Sequence, residues 1–312
     1  MNWKSWTVRF GMPVLLAVLP MANISCVMTG KQPAGKTVQP AVPKIKRVKT
    51  GYYVDEGSRG SGVLHWARLL TYSPQIELIL LDADDILSGK LNGLDLLIIP
   101  GGSSARQCAK LKKSGMEIVR RFVVAGGSYY GICAGFHCTL NRPERMRLMP
   151  FEYMSGAGGE VGILRVDITE RGGKLLGVKP GRHLVHYSHG PISRPGKQPG
   201  PGWGEVLGVY KSTIGPIGRN GGNFLNAPAI IHGQFGKGRV IATSFHPEDN
   251  ESSYEIGLGC IYAVTKVRPV PVFPKKNYRP VRVAFYSSAT IGKRCIGEML
   301  ELDRQPDLDV YL

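Results

Sequence analysis

Two apolar runs set the architecture. Residues 94–100 (LDLLIIP) and 128–132 (SYYGI) each end at a glycine-containing turn and lead into a stretch with helical spacing. A strand that is apolar on both faces needs cover on both faces, and a parallel sheet between two helix layers supplies it. Residues 48–54 and 76–81 read as two more strands. Residues 63–72 and 103–125 read as helices. The second helix carries Leu111, Met116, Val119, Phe122 and Val123 on one side and closes at Gly126-Gly127, a common helix C-terminus. This alternation predicts an α/β fold: doubly wound, mostly parallel, with helices on both faces and right-handed crossovers. After Gly156 the texture changes. Short strand-like pieces (160–168, 183–188, 205–210, 228–232 and 238–244), separated by Gly/Pro turns, predict antiparallel additions before a last helix over 252–264.

The net charge of +17 suggests a nucleic-acid partner until it is mapped. Residues 1–54 hold eight Lys/Arg and no acid, and residues 266–282 hold six and no acid, so the remainder carries only +3. The excess lies in Pro-containing connectors. A phosphate-binding face would need it clustered on the folded body. Nucleic acid is therefore not an expected partner.

The N-terminus reads as an export signal. Lys4 and Arg9 precede the short apolar core 14–19, and Ala22, Ser25 and Cys26 follow as small residues. Residues 1–26 are expected to be a signal peptide or N-terminal anchor, with Cys26 a candidate lipidated residue, although Asn23 stands where such signals carry Leu. Residues 27–45 form a basic linker. The expected location is periplasmic or envelope-attached, with possible membrane association through the N-terminus. Residues 46–265 form the main domain and residues 266–282 a second basic linker. Residues 283–312 have the pattern of residues 50–80: a strand, a small-residue loop, a helix, then Pro before another strand. This predicts a partial β-α-β, the possible start of a second copy.

The chemistry centres on Gly131-Ile132-Cys133-Ala134-Gly135. It follows a strand and precedes a helix, which is the G-x-nucleophile-x-G elbow with cysteine as nucleophile. Gly131 and Gly135 leave room for the sharp bend, and a helix N-terminus beyond the sulfur favours thiolate. Ser244-Phe245-His246-Pro247-Glu248 follows a second strand. His246 is the candidate general base, and Glu248 the carboxylate that fixes its tautomer. Pro100-Gly101-Gly102 follows the 94–100 strand. Its amides, with that of Ala134, form a candidate oxyanion hole. No Walker spacing makes it a phosphate cradle. No cysteine pair is spaced C-x-x-C, and the histidines show no metal spacing. No metal or cofactor is expected. His137 faces the same way as Cys133, either tuning the thiol or packing. Cys108 and Cys138 are candidates either for a disulfide or for protecting the Cys133 thiol.

Strand-Pro-Gly-Gly, then Gly-Gly-Ser-Tyr-Tyr-Gly-Ile-Cys-Ala-Gly, then Phe-His-Pro-Glu resembles the class I glutamine amidotransferase superfamily. Within it the chain is most similar to the biotin-protein ligase N-terminal domain family, in its stand-alone bacterial form. The stretches 187–191 (YSHGP) and 235–241 (FGKGRVI) share the likeness, which covers roughly 46–265. It implies a flavodoxin-like sandwich and a Cys133–His246–Glu248 triad, with Gly101, Gly102 and Ala134 around the oxyanion. No synthetase domain and no biotin-binding catalytic module is visible, so glutamine as substrate is less firmly implied than the triad. The expected function is a cysteine-nucleophile hydrolase of a small-molecule or peptide amide. The alternative is a catalytically retired binding or scaffold domain at the envelope.

Overall fold

The computed structural model describes residues 46–59, 61–154, 161–196, 203–214, 224–277, 279–284 and 292–311. The expected signal or anchor, Cys26, the first expected linker, Glu160 and residue 312 lie outside them. From Lys44 onward the chain is one compact unit.

The expected β-α-β series is present. In chain order it runs β1 (Val48–Tyr53), α1 (Ser61–Thr71), β2 (Ile76–Leu81), α2 (Ala83–Leu87), β3 (Leu96–Ile99), α3 (Ser104–Val124), β4 (Ser128–Ile132) and α4 (Ala134–Thr139). There follow β5 (Phe151–Met154), β6 (Val161–Ile168), α5 (Glu170–Leu176), β7 (Gly181–Ser188), β8 (Ile192–Pro195), β9 (Trp203–Tyr210), β10 (Pro228–Phe235) and β11 (Gly238–Thr243). A 3-10 turn (Pro247–Asp249), α6 (Glu251–Thr265), β12 (Val281–Ala284), α7 (Lys293–Asp303) and β13 (Leu308–Tyr311) complete it.

One nine-stranded sheet runs β2-β1-β3-β4-β11-β10-β9-β6-β7. Its first five strands are parallel, and β10, β9, β6 and β7 continue it antiparallel. The parallel part has the flavodoxin-like order, with its crevice at the carboxyl ends of the strands. The fold is thus the expected α/β one, mostly parallel at its centre with antiparallel additions.

Successive strand residues point to opposite faces, which is why the apolar runs are continuous. Leu96 and Ile98 of β3, with Tyr130 and Ile132 of β4, join the core under α1 and α6. Leu97, Ile99 and Tyr129 join the core under α3 and α4. On α3, Leu111, Val119 and Val123 are buried as expected, while Met116 and Phe122 are only partly covered. Three features are absent from the sequence reading. Helix α2 is built on an Asp82 capping box. Helix α5 is capped by Thr169. The β5–β8 pair is a separate two-stranded ribbon.

At the C-terminal end β12, α7 and β13 follow one another, with β12 and β13 paired in parallel. This segment is tied to the body through a buried carboxylate. Asp303, fully buried, takes a 2.7 Å hydrogen bond from the Tyr72 hydroxyl and ion pairs from Arg68 at 2.9 Å and Lys276 at 3.2 Å. Removing one partner of a buried ion pair leaves the others uncompensated. Asp303→Ala should therefore lose about 3 kcal/mol of stability, read as a lower urea midpoint. An unchanged midpoint would show that the segment is held by other contacts.

Candidate active site

Three strand ends build the site. β3 leads to Gly101, β4 to Cys133 and β11 to His246. Cys133 has φ +49°, in the region L-residues avoid, at a cost of order 1–3 kcal/mol. Its amide donates to Thr243 O at 2.8 Å, and its carbonyl accepts from His137 N at 3.0 Å. β11 therefore pins the bend on one side and α4 on the other.

The flanking glycines are required by close approach. A Cβ on Gly131 would lie 2.4 Å from Gly135 O, and one on Gly135 would lie 2.1 Å from Ile99 O. The Tyr129 hydroxyl also donates to Gly135 O at 2.9 Å, tethering the elbow to the strand beneath it.

His246 is buried. Its amide donates to His186 O at 2.9 Å, so the end of β7 fixes its backbone. Its Nδ1 lies 2.9 Å from Glu248 Oε1. That leaves Nε2 as the ring nitrogen available to Cys133, whose Sγ donates to Ser188 O at 3.5 Å and lines the same cavity as His246. Burial alone would lower the imidazole pKa. The charges of Cys133 and Glu248 and the hydrogen bond to Glu248 outweigh it, and the pKa is raised well above its usual value. Glu248 is 2% exposed.

Gly101 lies against this ring, since a Cβ there would come within 2.5 Å of His246 Cε1. Gly102 has φ +131°, and a Cβ on it would meet Gly57 O at 2.0 Å. The 57–59 loop packs against it through Ser103 N to Gly57 O, 2.7 Å, and Arg59 N to Gly101 O, 3.3 Å. Ala134 opens α4 directly beside the sulfur. The eight residues singled out in the sequence thus lie together at the carboxyl edge of the sheet.

A cavity of about 800 Å³ lies at the opposite, amino-terminal edge of the sheet, while a smaller one of about 610 Å³ holds Cys133 and His246. The smaller one is the cavity next to the reactive groups. Arg59, Arg145, His137, His189 and Asp249 also line it. Sequence reasoning passed over Arg59, Arg145 and Asp249, because nothing in their local spacing marks them. Asp249 accepts from His186 Nδ1 at 3.0 Å and lies 3.9 Å from His246 Nδ1. His137 pairs with the Ser104 hydroxyl at 2.9 Å and stacks on Tyr153. Burial, with Arg145 and Arg142, lowers its pKa to about 4, so it is neutral at physiological pH. Glu152 pairs with Arg194 across the β5–β8 ribbon and is not among the cavity residues. Among the described residues, no group of three or more His, Cys, Asp or Glu side chains could hold a metal ion.

The raised pKa has a sign that can be checked. The His246 imidazolium contributes stability in full below the ordinary histidine pKa, and that contribution is lost as pH rises through the raised folded value. Glu248→Gln removes one of the two charges responsible. The His246 ring titration, followed by NMR, should then move to lower pH. An unmoved titration would mean that the carboxylate does not set the imidazole's charge.

Residues 86–143 match the family model described as "Biotin-protein ligase, N terminal". The match contains Gly101, Gly102 and the whole elbow, and ends before His246. No curated protein matches the chain by sequence. Among solved structures, PurLQS from Thermotoga maritima aligns with TM-score 0.53 at 17% identity, over 69% of this chain and 98% of that one. A ThuA-like protein from Bacteroides uniformis aligns with TM-score 0.52 at 13% identity, over 73% and 95%. The chain therefore resembles the biotin-protein ligase N-terminal family in sequence over residues 86–143, and its α/β fold is similar to those of PurLQS and the ThuA-like protein.

Proposed function

We propose that the chain is a cysteine-nucleophile hydrolase of an amide or related carbonyl, working through Cys133, His246 and Glu248. One observation carries this reading: a cysteine held at positive φ shares one cavity with a histidine whose Nδ1 lies 2.9 Å from a buried carboxylate. Strain of that kind persists where the surroundings over-determine it, and it concentrates at functional sites.

In this reading the Cys133 sulfur, as thiolate, adds to the carbonyl carbon. The oxygen takes up the electron pair and is held by the amides of Gly101, Gly102 and Ala134. The His246 imidazolium gives its proton to the departing amine as the carbon–nitrogen bond breaks, leaving a thioester. Water then gives a proton to His246 and adds to the thioester. The acid leaves, and the thiolate–imidazolium pair is restored. Glu248 keeps Nδ1 protonated and the ring oriented throughout. Arg59 and Arg145 set two cations against Asp249 in the cavity lining, which favours a substrate bearing a carboxylate. The basic and apolar N-terminal pattern supports an exported location for this activity.

The test is labelling with iodoacetamide at neutral pH, together with a panel of amide substrates that includes glutamine. Cys133 should alkylate much faster than Cys108, Cys138, Cys260 or Cys295. Burial pushes the Cys260 thiol up to about 12, which makes it the slow internal reference. Cys133→Ala should abolish turnover, and Glu248→Gln should lower kcat about 100-fold or more. Gly101→Ala, which drives a methyl into the imidazole, should cost about 100-fold with the thiol intact. Uniformly slow labelling with no turnover of any substrate would instead favour the retired binding domain.

A further inference from the structure

Behind the elbow lies a second pair of sulfurs that the proposed hydrolysis does not use. Cys108 on α3 and Cys138 on α4 are 5% and 0% exposed, and their Sγ atoms are 3.5 Å apart. A disulfide needs about 2.04 Å, so each sulfur would have to move less than about 1 Å. The surroundings distinguish the two thiols. The Cys138 S–H has Cys108 Sγ and, at 3.7 Å, Gln107 Oε1 as acceptors. Arg145, which lines the Cys133 cavity, brings its guanidinium to Cys108. A thiol beside a cation is more readily oxidised than one sealed among apolar groups.

We propose that Cys108 and Cys138 are a redox modification site: a dithiol that hydrogen peroxide converts to an intramolecular disulfide between α3 and α4. The hydrogen bond from Cys138, with Arg145, outweighs burial and lowers the Cys108 pKa, whereas Cys138 is raised by that same hydrogen bond and by burial. Cys108 is therefore the attacking thiolate. Its sulfur displaces hydroxide from the O–O bond and becomes a sulfenic acid. The Cys138 sulfur then attacks the sulfenyl sulfur, forming the S–S bond and releasing the second oxygen as water. Two thiols lose two electrons, two protons and the peroxide oxygens leave as two waters, and a thiol reductant reverses the change.

The pair has a route to the elbow. Cys138 is on the same short helix as Ala134. Gln107, which accepts from Cys138, donates its Nε2 to Pro100 O at 3.1 Å, just ahead of Gly101. The proposal does not depend on catalysis by Cys133, and neither does its test.

The full chain is treated with hydrogen peroxide, quenched, unfolded and alkylated. Digestion with trypsin releases Cys108 in the short peptide 107–110, and chymotrypsin, cutting after Phe136, separates Cys138 from Cys133. The expected result is a peptide pair joining Cys108 to Cys138, 2 Da lighter than the two free peptides, which disappears on reduction. It should persist in Cys133→Ser and be lost in Cys108→Ser, whose Cys138 should remain alkylatable. If either serine variant fails to fold, the wild-type peptide map decides alone. Two results would overturn the proposal: Cys108 and Cys138 both alkylated in protein whose Cys133 has been oxidised, or a cross-link from either one to a different cysteine.

Discussion

Close approach of backbone to backbone at the elbow is the constraint on which the site depends. The loops after β3, β4 and β11 converge on Cys133 only because no side chain stands between them. Gly135 lies under Ile99 O, Gly131 under Gly135 O, and Gly102 under Gly57 O. Each of those gaps is too short for a Cβ. The positive φ at Cys133 follows from the same crowding, since the chain must turn within one residue from β4 into α4. The cost of that turn is offset by two parallel strand neighbours and by the Cys133 N to Thr243 O hydrogen bond.

Electrostatics then act on what the glycines have placed. Buried histidines ordinarily lose their charge, and His137 does so at the same site. His246 goes the other way because the charges of Cys133 and Glu248 act on it and Glu248 hydrogen-bonds its Nδ1. The two histidines line the same cavity, yet one is held neutral and the other is held toward its protonated form. In the proposed mechanism that difference separates the residue that transfers protons from one that shapes the cavity wall.

The fold was legible to the extent that local pattern governs it. The apolar runs in 94–100 and 128–132 announced strands covered on both faces, and α3 ends at Gly126-Gly127 as its spacing indicated. Helix α5 was missed because its own sequence, ERGGKLL, carries two glycines. It forms because Gly172 packs against Leu207 O and Gly173 against Val178 O, contacts that no helix propensity records. The β5–β8 ribbon joins segments some forty residues apart, and neither segment alternates clearly enough to be read alone. Asp249 was overlooked for a related reason. Beside Glu248 it looks like a second surface acid of a turn, and only the return of β7 brings His186 to it.

The sequence by itself determined the layered α/β architecture, the position of the bend and the residue at its apex. These follow from side-chain periodicity and from the steric demands of glycine, both of which act over a few residues. Only the tertiary structure decided which groups meet that residue. The approach of His246 to Cys133, the cations lining the cavity and the Cys108–Cys138 pair all depend on strand order and helix packing. Those contacts form between residues thirty or more positions apart, where the cost of closing the chain is met by the whole core and no local pattern encodes the partner.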